Sequence, residues 1–407
     1  MKYCEPYQSC ALFGAMRYFS NLKNCVSLIN GPTGCAFYAN SAIIRLNGYF
    51  NARHRVNIPN IYCTDFNEKD AIMGCEEKVR QAAEELLCEF HPEMLFLFNC
   101  CVAEIIGSDI DTIAEELSEQ YETMVIPVHT AGFKGDHKYG MRLAGDVLMK
   151  YFFCSKSCVQ KGKVNLLGEF DYFNRSTVEL SSFLQQIGIT DVMHVPGRCS
   201  LAQLREATNA ELNVITCQNA SRYLAERMKQ AFDIPYLGNG SDLYSIEHTA
   251  ALYRQLCRFF GKDPGIVEQM RERALQELQQ YLPALRGKSA FVVASTRRAL
   301  GYSAILRELG VEVKLIFSES DQTYTPKQTF LQYSKNVLLN EYPNDLVQRI
   351  EREKPDYIFS TLPELIAPYR YLPRPEVDFS GMEGSVRMAA YLASLPQQEN
   401  AAISIDN

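Results

Sequence analysis

Three short segments carry cysteines in settings suited to binding metal. Asn30-Gly-Pro-Thr-Gly-Cys35 directly follows an apolar run, Asn99-Cys-Cys-Val-Ala-Glu-Ile-Ile-Gly-Ser-Asp-Ile110 follows another, and Ser9-Cys-Ala-Leu-Phe-Gly14 places a third thiol near the start of the chain. In the first, two glycines let the backbone turn tightly, and Cys35 emerges beside backbone N–H groups where Ala36-Phe-Tyr opens a helix. Such surroundings stabilise a thiolate, the form that binds metal. The competing reading is a tight turn with a buried thiol, because free cysteine is among the most buried residue types. In the second, Cys100 and Cys101 precede a helix that either Ser108 or Asp109 can cap. Cys10 by itself says little. Gathered at one sheet edge, thiolates from Cys10, Cys35 and either Cys100 or Cys101 suit an iron–sulfur cluster whose missing ligand comes from another chain or a non-cysteine group.

Zinc is the alternative metal, but a structural zinc site normally shows a close Cys-x₂₋₄-Cys pair. Only Cys154/Cys158 and the contiguous Cys100/Cys101 are so tight, and no histidine lies near Cys154. That pair has spacing permissive for metal or redox chemistry and nothing more.

Composition narrows the classes. The 407 residues are 47% hydrophobic and 22% charged, enough for packed cores in two or three domains of ~150 residues each. Lys+Arg total 41 against Asp+Glu 48, a formal charge of −7 with no compensating basic block. Nucleic acid is therefore not an expected partner, since phosphate neutralisation needs a concentrated basic face. The N-terminus lacks a secretory pattern, and no apolar run approaches the roughly 18 residues that span a bilayer. A cytoplasmic protein without membrane association is expected. In a reducing compartment the 14 cysteines are free thiols, metal ligands or catalytic thiols. About ten of them are expected to be packing residues.

The elements that must position these thiols alternate between short β-rich runs and longer helical patterns, the grammar of parallel sheets with helical crossovers. The fold class expected is α/β, with three Rossmann-like domains of parallel sheets flanked by helices, divided as 1–160, 161–286 and 287–407. In the first, strands are expected at Val26–Asn30, Met94–Phe98 and Met124–Val128, and helices at Asp70–Glu89 and Asp109–Tyr121. The second has strands at Val164–Gly168, Asp191–Val195, Leu212–Thr216 and Ile234–Leu237. Its helices are Ser176–Ile187, Ser200–Ala207, Ala220–Phe232 and a long stretch Ser241–Tyr281, broken near Pro264. The third alternates strands at Ala290–Ala294, Val311–Phe317 and Asp356–Ser360 with helices at Ala299–Leu309, Asn344–Glu353 and Arg387–Leu395. Each strand of the first domain ends in a loop rich in Gly, Cys, Asn or Thr, where open α/β sheets place ligands.

The order and spacing of the three cysteine segments, with Thr64-Asp-Phe-Asn-Glu-Lys-Asp-Ala-Ile-Met-Gly74 between them, resemble the nitrogenase component 1 family. The resemblance continues through Val128-His-Thr-Ala-Gly-Phe-Lys-Gly135, Leu212-Asn-Val-Ile-Thr-Cys-Gln-Asn-Ala-Ser-Arg-Tyr-Leu224, Lys354-Pro-Asp-Tyr-Ile-Phe-Ser360 and Asp378-Phe-Ser-Gly381, so it covers essentially the whole chain. The family includes the molybdenum–iron protein subunits, their cofactor-assembly scaffold and the dark-operative protochlorophyllide reductase.

This resemblance implies that Cys10, Cys35 and Cys101 bind an iron–sulfur cluster, 4Fe-4S or P-cluster-like, at the interface with a homologous or identical subunit that supplies the rest of the ligands. The match to the Cys-x-x-x-x-Ile-Gly-x-Asp-Ile phrase selects Cys101 over Cys100, while Cys63 and Cys75 are bystanders. It further implies an ATP-dependent iron protein that passes single electrons inward. The chain has no Gly-x₄-Gly-Lys-Ser/Thr phosphate loop of its own, so that partner would handle ATP. Cys217 matches the cysteine that anchors the large metal–sulfur cofactor or its precursor, and a second cofactor or an organic substrate is expected near it. His137, between Lys134 and Lys138 in what reads as a loop, is a candidate to contact an anionic cofactor or donate a proton; a solvated loop histidine is the plainer reading. Arg45, Arg53, His54 and Arg55 either face a bound anionic cofactor or the partner, or form an ordinary polar face.

The departures from the family are informative. No histidine occurs beyond His248, where the catalytic alpha subunit of molybdenum nitrogenase carries a cofactor ligand. The Gln-x-x-x-His pattern is absent from Gly132-Phe-Lys-Gly-Asp-His-Lys-Tyr-Gly-Met-Arg-Leu-Ala-Gly145. Dinitrogen reduction is thus not expected. The reading that results is an oxidoreductase subunit relaying electrons from the interface cluster to a substrate or cofactor site; the sequence does not identify the substrate, and a carbon–sulfur, tetrapyrrole or other unsaturated bond stays open as the target. The alternative is a non-catalytic scaffold for assembly of a nitrogenase-type cofactor, and a third option is a cluster-free ligand-binding protein.

Overall fold

The computed structural model describes residues 9–20, 22–46, 61–153, 158–169, 175–340, 346–360 and 378–395. Arg53, His54, Arg55 and Cys154 lie outside the described residues, as does the side chain of Arg45. The protein is an α/β structure with three four-stranded parallel sheets flanked by helices. Its chain divides into two compact units, Met1–Phe173 with Met193–Asn213 and Tyr223–Pro235, and Asn174–Val192 with Val214–Arg222 and Tyr236–Asn407.

The first unit opens with helix α1 (Ala11–Phe19), strand β1 (Cys25–Asn30), α2 (Thr33–Leu46) and β2 (Ile61–Cys63). It continues with α3 (Glu68–Met73), α4 (Glu76–Phe90), β3 (Met94–Asn99), α5 (Cys101–Ile105), α6 (Ile110–Tyr121), β4 (Met124–His129) and α7 (His137–Tyr151). The strands pair in the order β2-β1-β3-β4. Every residue of β3, Met-Leu-Phe-Leu-Phe-Asn, is buried, as befits a parallel strand covered on both faces. Leu95 and Leu97 pack with Val26, Leu28, Val79, Ala83 and Leu117 on one face. On the other, Phe96 stacks on Phe19 of α1 with ring centroids 4.2 Å apart. Fully burying a phenylalanine contributes about 1.5–3 kcal/mol, and this stack ties α1 to the sheet.

Three features of this unit depart from the sequence pattern. The helix expected over Asp70–Glu89 is two helices, because Gly74 adopts φ 88° at the end of α3, and apolar periodicity does not register a left-handed residue. Helices α1 and α7, absent from the expected elements, pack with two glycines against backbone: a Cβ on Gly14 would lie 1.9 Å from the His137 carbonyl oxygen, and one on Gly140 2.0 Å from that of Ala11. The residues from His137 onward are therefore helix, not loop.

The second sheet is built from β5 (Gln160–Leu167), β6 (Asp191–Val195), β7 (Ala210–Ile215) and β8 (Tyr236–Leu237) in the order β6-β5-β7-β8, the same progression as the first. Its helices are α8 (Val178–Gln186), α9 (Leu201–Glu206), which the Ser200/Gln203 capping box starts, and α10 (Gln218–Phe232). A buried asparagine pair joins the central strands of both sheets, Asn30 Nδ2 to Asn99 Oδ1 and Asn165 Nδ2 to Asn213 Oδ1, each at 2.9 Å.

Further along, α11 (Ile246–Phe260) ends at Gly261 with φ 61°, and Pro264 caps α12 (Gly265–Gln279), the break that the proline marks in the sequence. After α13 (Leu282–Leu285) come β9 (Ser289–Val293), α14 (Thr296–Glu308), β10 (Glu312–Ser318), α15 (Lys327–Leu331), β11 (Val337–Leu339), α16 (Leu346–Glu353), β12 (Tyr357–Ser360) and α17 (Met382–Ser394). These strands pair as β11-β10-β9-β12. Among the described residues, no helix is long and apolar enough to cross a membrane.

Candidate metal centre

The order β2-β1-β3-β4 reverses direction between β1 and β3, and open α/β sheets bind ligands in the crevice at such a switch point. Asn30 and Asn99, the last residues of these strands, sit side by side in register. The segments that follow them, Gly31 to Cys35 and Cys100-Cys101, are thereby delivered together. Cys100 N–H donates to the Asn30 carbonyl at 3.1 Å, and a Cβ on Gly31 would meet Cys100 Sγ at 2.5 Å. Only glycine fits at that approach. Cys35 lies in the first turn of α2, as its sequence context predicts, and Cys101 is the first residue of α5. Asp109, not Ser108, caps α6: its Oδ1 accepts the Thr112 N–H at 3.0 Å. Ser108 is buried and hydrogen-bonded to Asn30.

Cys10 reaches the same edge through α1. Ala11 N–H donates to the Gly135 carbonyl at 3.1 Å and His137 N–H to that of Ser9 at 2.8 Å. These bonds hold the start of α1 against the segment after β4. Gly132 in that segment donates its N–H to Cys101 Sγ at 3.0 Å, and a Cβ on it would lie 2.9 Å from Cys10 Cβ and 3.4 Å from Cys101 Sγ. Cys10 and Cys101 thus flank one glycine.

Electrostatics separates the thiols. A hydrogen bond from Cys100 lowers the Cys35 thiol to about 7 despite partial burial. Cys100 is pushed far upward by that same bond, by its burial and by the charges of Cys35, Cys10 and Cys101. Cys35 is therefore the readier thiolate, and Cys100 keeps its proton. Among the described residues, no three His, Cys, Asp or Glu side chains converge on a point that would hold a single metal ion. The donors are soft sulfurs spaced around a glycine, and Cys10 is exposed. This set fits an iron–sulfur group better than an isolated cation.

Cys75 is buried in the core, its Sγ 3.2 Å from Ser108 Oγ, while Cys63 ends β2 beside Ile29. All the described cysteines are free thiols. Cys75, Cys100, Cys199 and Cys257 are buried, the packing role expected of about ten of the 14 cysteines, whereas Cys88 and Cys158 are exposed. Cys88 lies off the Val79, Ala83, Leu86 and Leu87 stripe that α4 buries.

The sequence pattern did not single out a polar group beside Cys101. Glu104 on α5 faces His129 Nδ1 at 3.0 Å, accepts from Asn99 Nδ2 at 3.3 Å and pairs with Lys134. His129 Nε2 lies 2.8 Å from Asp111. Burial opposes ionisation of Glu104, but the bonds from Lys134 and His129 prevail and hold its carboxyl below the ordinary range. These residues are scattered between positions 99 and 134, with no local motif to link them. Large apolar side chains also stand exposed on the same segments: Phe37 and Tyr38 after Cys35, Ile105 after Cys101, and Phe133 beside Gly132.

Cys217 belongs to the second unit, between β7 and α10. Its carbonyl accepts the Ser221 hydroxyl at 2.8 Å. A turn of two left-handed glycines packs against it: a Cβ on Gly240 would lie 2.3 Å from the Thr216 carbonyl oxygen and 3.0 Å from Cys217 Cα. Asp242 pins that turn by accepting the Asn239 and Gly240 N–H groups, each at 3.0 Å; burial raises its carboxyl to about 6. Arg297, which sequence reasoning missed, donates to the Thr216 carbonyl at 3.1 Å and to Ser176 Oγ at 3.2 Å. Its distance along the chain hid it.

His137 is not the loop residue that its sequence neighbours suggest. It is the first residue of α7, and burial lowers its imidazole to about 4. It is neutral at pH 7. Arg45 falls at the end of α2.

Three parallel sheets flanked by helices define an α/β protein, and Cys35, Cys100 and Cys101 follow the strand ends of its first sheet. The family model for nitrogenase component 1 type oxidoreductases matches residues 10–371, and the chain belongs to that family. It is 28% identical over 320 residues to the nitrogenase iron-molybdenum cofactor biosynthesis protein NifE of Clostridium pasteurianum, covering 77% of this chain and 68% of that protein. It is 26% identical over 362 residues to the nitrogenase molybdenum-iron protein alpha chain of Methanosarcina barkeri, covering 86% and 67%. A solved structure of nitrogenase Cp1 at pH 6.5 shares the fold with a TM-score of 0.79 at 18% identity, over 97% of this chain and 89% of that one.

Proposed function

We propose that this chain is a scaffold subunit on which a nitrogenase-type metal–sulfur cofactor is assembled, with an iron–sulfur cluster held by Cys10, Cys35 and Cys101 and the cofactor or its precursor held near Cys217. The observation that carries this reading is the placement of Cys10 and Cys101 on either side of Gly132, beside the Cys35–Cys100 contact. Likeness to cofactor biosynthesis proteins from several organisms supports the scaffold over the electron-relaying reductase. The lack of any histidine beyond His248 points the same way.

In this reading the protein supplies ligation, burial and orientation, and a bound cluster supplies single-electron chemistry. Cys35 and Cys101 offer sulfur from the switch point, Gly132 N–H stabilises charge on Cys101, and the Asp242-pinned turn fixes the backbone at Cys217. Phe37, Tyr38, Ile105 and Phe133 suit a surface covered by a homologous or identical subunit, because apolar side chains of this size on one edge mark association. An ATP-dependent iron protein is the electron source proposed.

The reductase reading keeps one supporting observation, the likeness to the molybdenum–iron alpha chain. The two separate by experiment. Anaerobic protein, co-expressed with its partner subunit, is loaded and mixed either with an apo-acceptor or with an iron protein, ATP and small unsaturated substrates. Transfer of the cofactor without turnover supports the scaffold; sustained turnover without transfer overturns it.

A further inference from the structure

One carboxylate connects the elements that meet at Cys101. Glu104 lies one helical turn after Cys101 on α5, with its side chain 14% exposed. Through Oε2 it meets His129 at the end of β4 and Asn99 at the end of β3. Through Oε1 it pairs with Lys134, the last residue of the short helical turn Gly132–Lys134. That turn begins with the glycine whose N–H donates to Cys101 Sγ at 3.0 Å.

We infer that Glu104 is a positioning residue: by tying α5 to the Gly132–Lys134 turn, it sets the N–H to sulfur hydrogen bond on Cys101. This rests on the reading of Cys101 as a cluster ligand. Cys101 and Glu104 share a helix of five residues, so the tether at Lys134 and the bond at Gly132 are two ends of one link between the same two segments. Partners beyond the ligands orient a metal site, and hydrogen bonds to cluster sulfurs adjust its reduction potential. A donor on a ligand sulfur stabilises the more negative reduced state, so its loss lowers the potential.

The test uses Glu104→Ala and Glu104→Gln in the full chain. Gln keeps the length and an acceptor oxygen, and it should restore part of what Ala loses. In metal-free protein, deuterium exchange is followed in the peptide covering Thr130–Gly135. The Gly132 amide is expected to exchange severalfold faster in Glu104→Ala, less so in Glu104→Gln, with the β9 peptide unchanged. In protein loaded with iron and sulfide, a redox titration read by electron paramagnetic resonance should show a lower midpoint in Glu104→Ala, partly restored in Glu104→Gln. Unchanged exchange and unchanged midpoint in Glu104→Ala overturn the inference, as does faster exchange spread over the whole chain. Should Glu104→Ala not fold, Glu104→Gln with unaltered exchange and midpoint overturns it equally. If the unmodified chain holds no iron, the cluster reading fails, and the exchange measurement alone decides the role of Glu104.

Discussion

Asn30 donates its side-chain amide to Asn99 Oδ1 at 2.9 Å across the paired ends of β1 and β3, and both residues are buried. The bond lies one residue before both cysteine-bearing loops. Replacing Asn30 by Leu leaves Asn99 Oδ1 without this donor, at a cost of about 1–3 kcal/mol for a buried unsatisfied group. The expected outcome is a lower urea midpoint together with reduced iron content after anaerobic loading. A variant as stable and as iron-rich as the parent would show that the pair does not hold the strand ends.

Gly132 has no room for a methyl group, since a Cβ would sit 2.9 Å from Cys10 Cβ. Gly132→Ala must therefore move one of the two thiols. Overpacking of this kind costs about 1–3 kcal/mol, which a domain of this size tolerates. We expect folded protein with a weakened or altered cluster signal in electron paramagnetic resonance. An unaltered signal at full iron occupancy would separate Cys10 from the centre.

Much of this centre was legible in the sequence because its parts are local. Apolar runs predict β1, β3 and β4, and the cysteines follow two of them directly, so a parallel sheet brings those loops to one edge without further information. Helices α1 and α7 were not legible. Their glycines pack on backbone across more than a hundred residues of chain, and His137 between lysines has the local look of a surface loop. Glu104, His129 and Lys134 share this difficulty, since each is an ordinary charged residue until the strand order places them together. Gly74 hid a helix break for a different reason: its left-handed φ is a backbone property that apolar spacing does not encode.

The cysteines divide by position, and single substitutions should divide them the same way. Cys35→Ala is expected to lose the cluster signal, because Cys35 is the thiol lowered to about 7. Cys63→Ser should keep it, since Cys63 ends an edge strand beside Ile29. Cys217→Ala should keep the first signal and lose a second. Iron, sulfide and paramagnetic resonance on each anaerobic variant measure this. Loss of iron in Cys63→Ser, or retention in Cys35→Ala, would break the ligand set.

Glu179 gives a prediction on pH that is independent of metal. Its carboxylate accepts the Met382 N–H at 2.8 Å and the Glu383 N–H at 3.1 Å, so a residue of α8 caps α17. Tyr253 donates to the same carboxylate at 3.3 Å. Burial outweighs these bonds and raises the Glu179 carboxyl above its ordinary value. The folded state then keeps a proton that the unfolded chain, with a glutamate pKa of about 4.3, has released. Stability from this group is greatest below the unfolded pKa and declines as pH rises to the raised folded value, after which it is flat. Glu179→Gln cannot ionise and still offers one acceptor oxygen to the helix. Its urea midpoint should vary less across that window, with an offset of about 1 kcal/mol for the lost N–H bond. Identical pH profiles for parent and variant would show that Glu179 titrates alike in the folded and unfolded states.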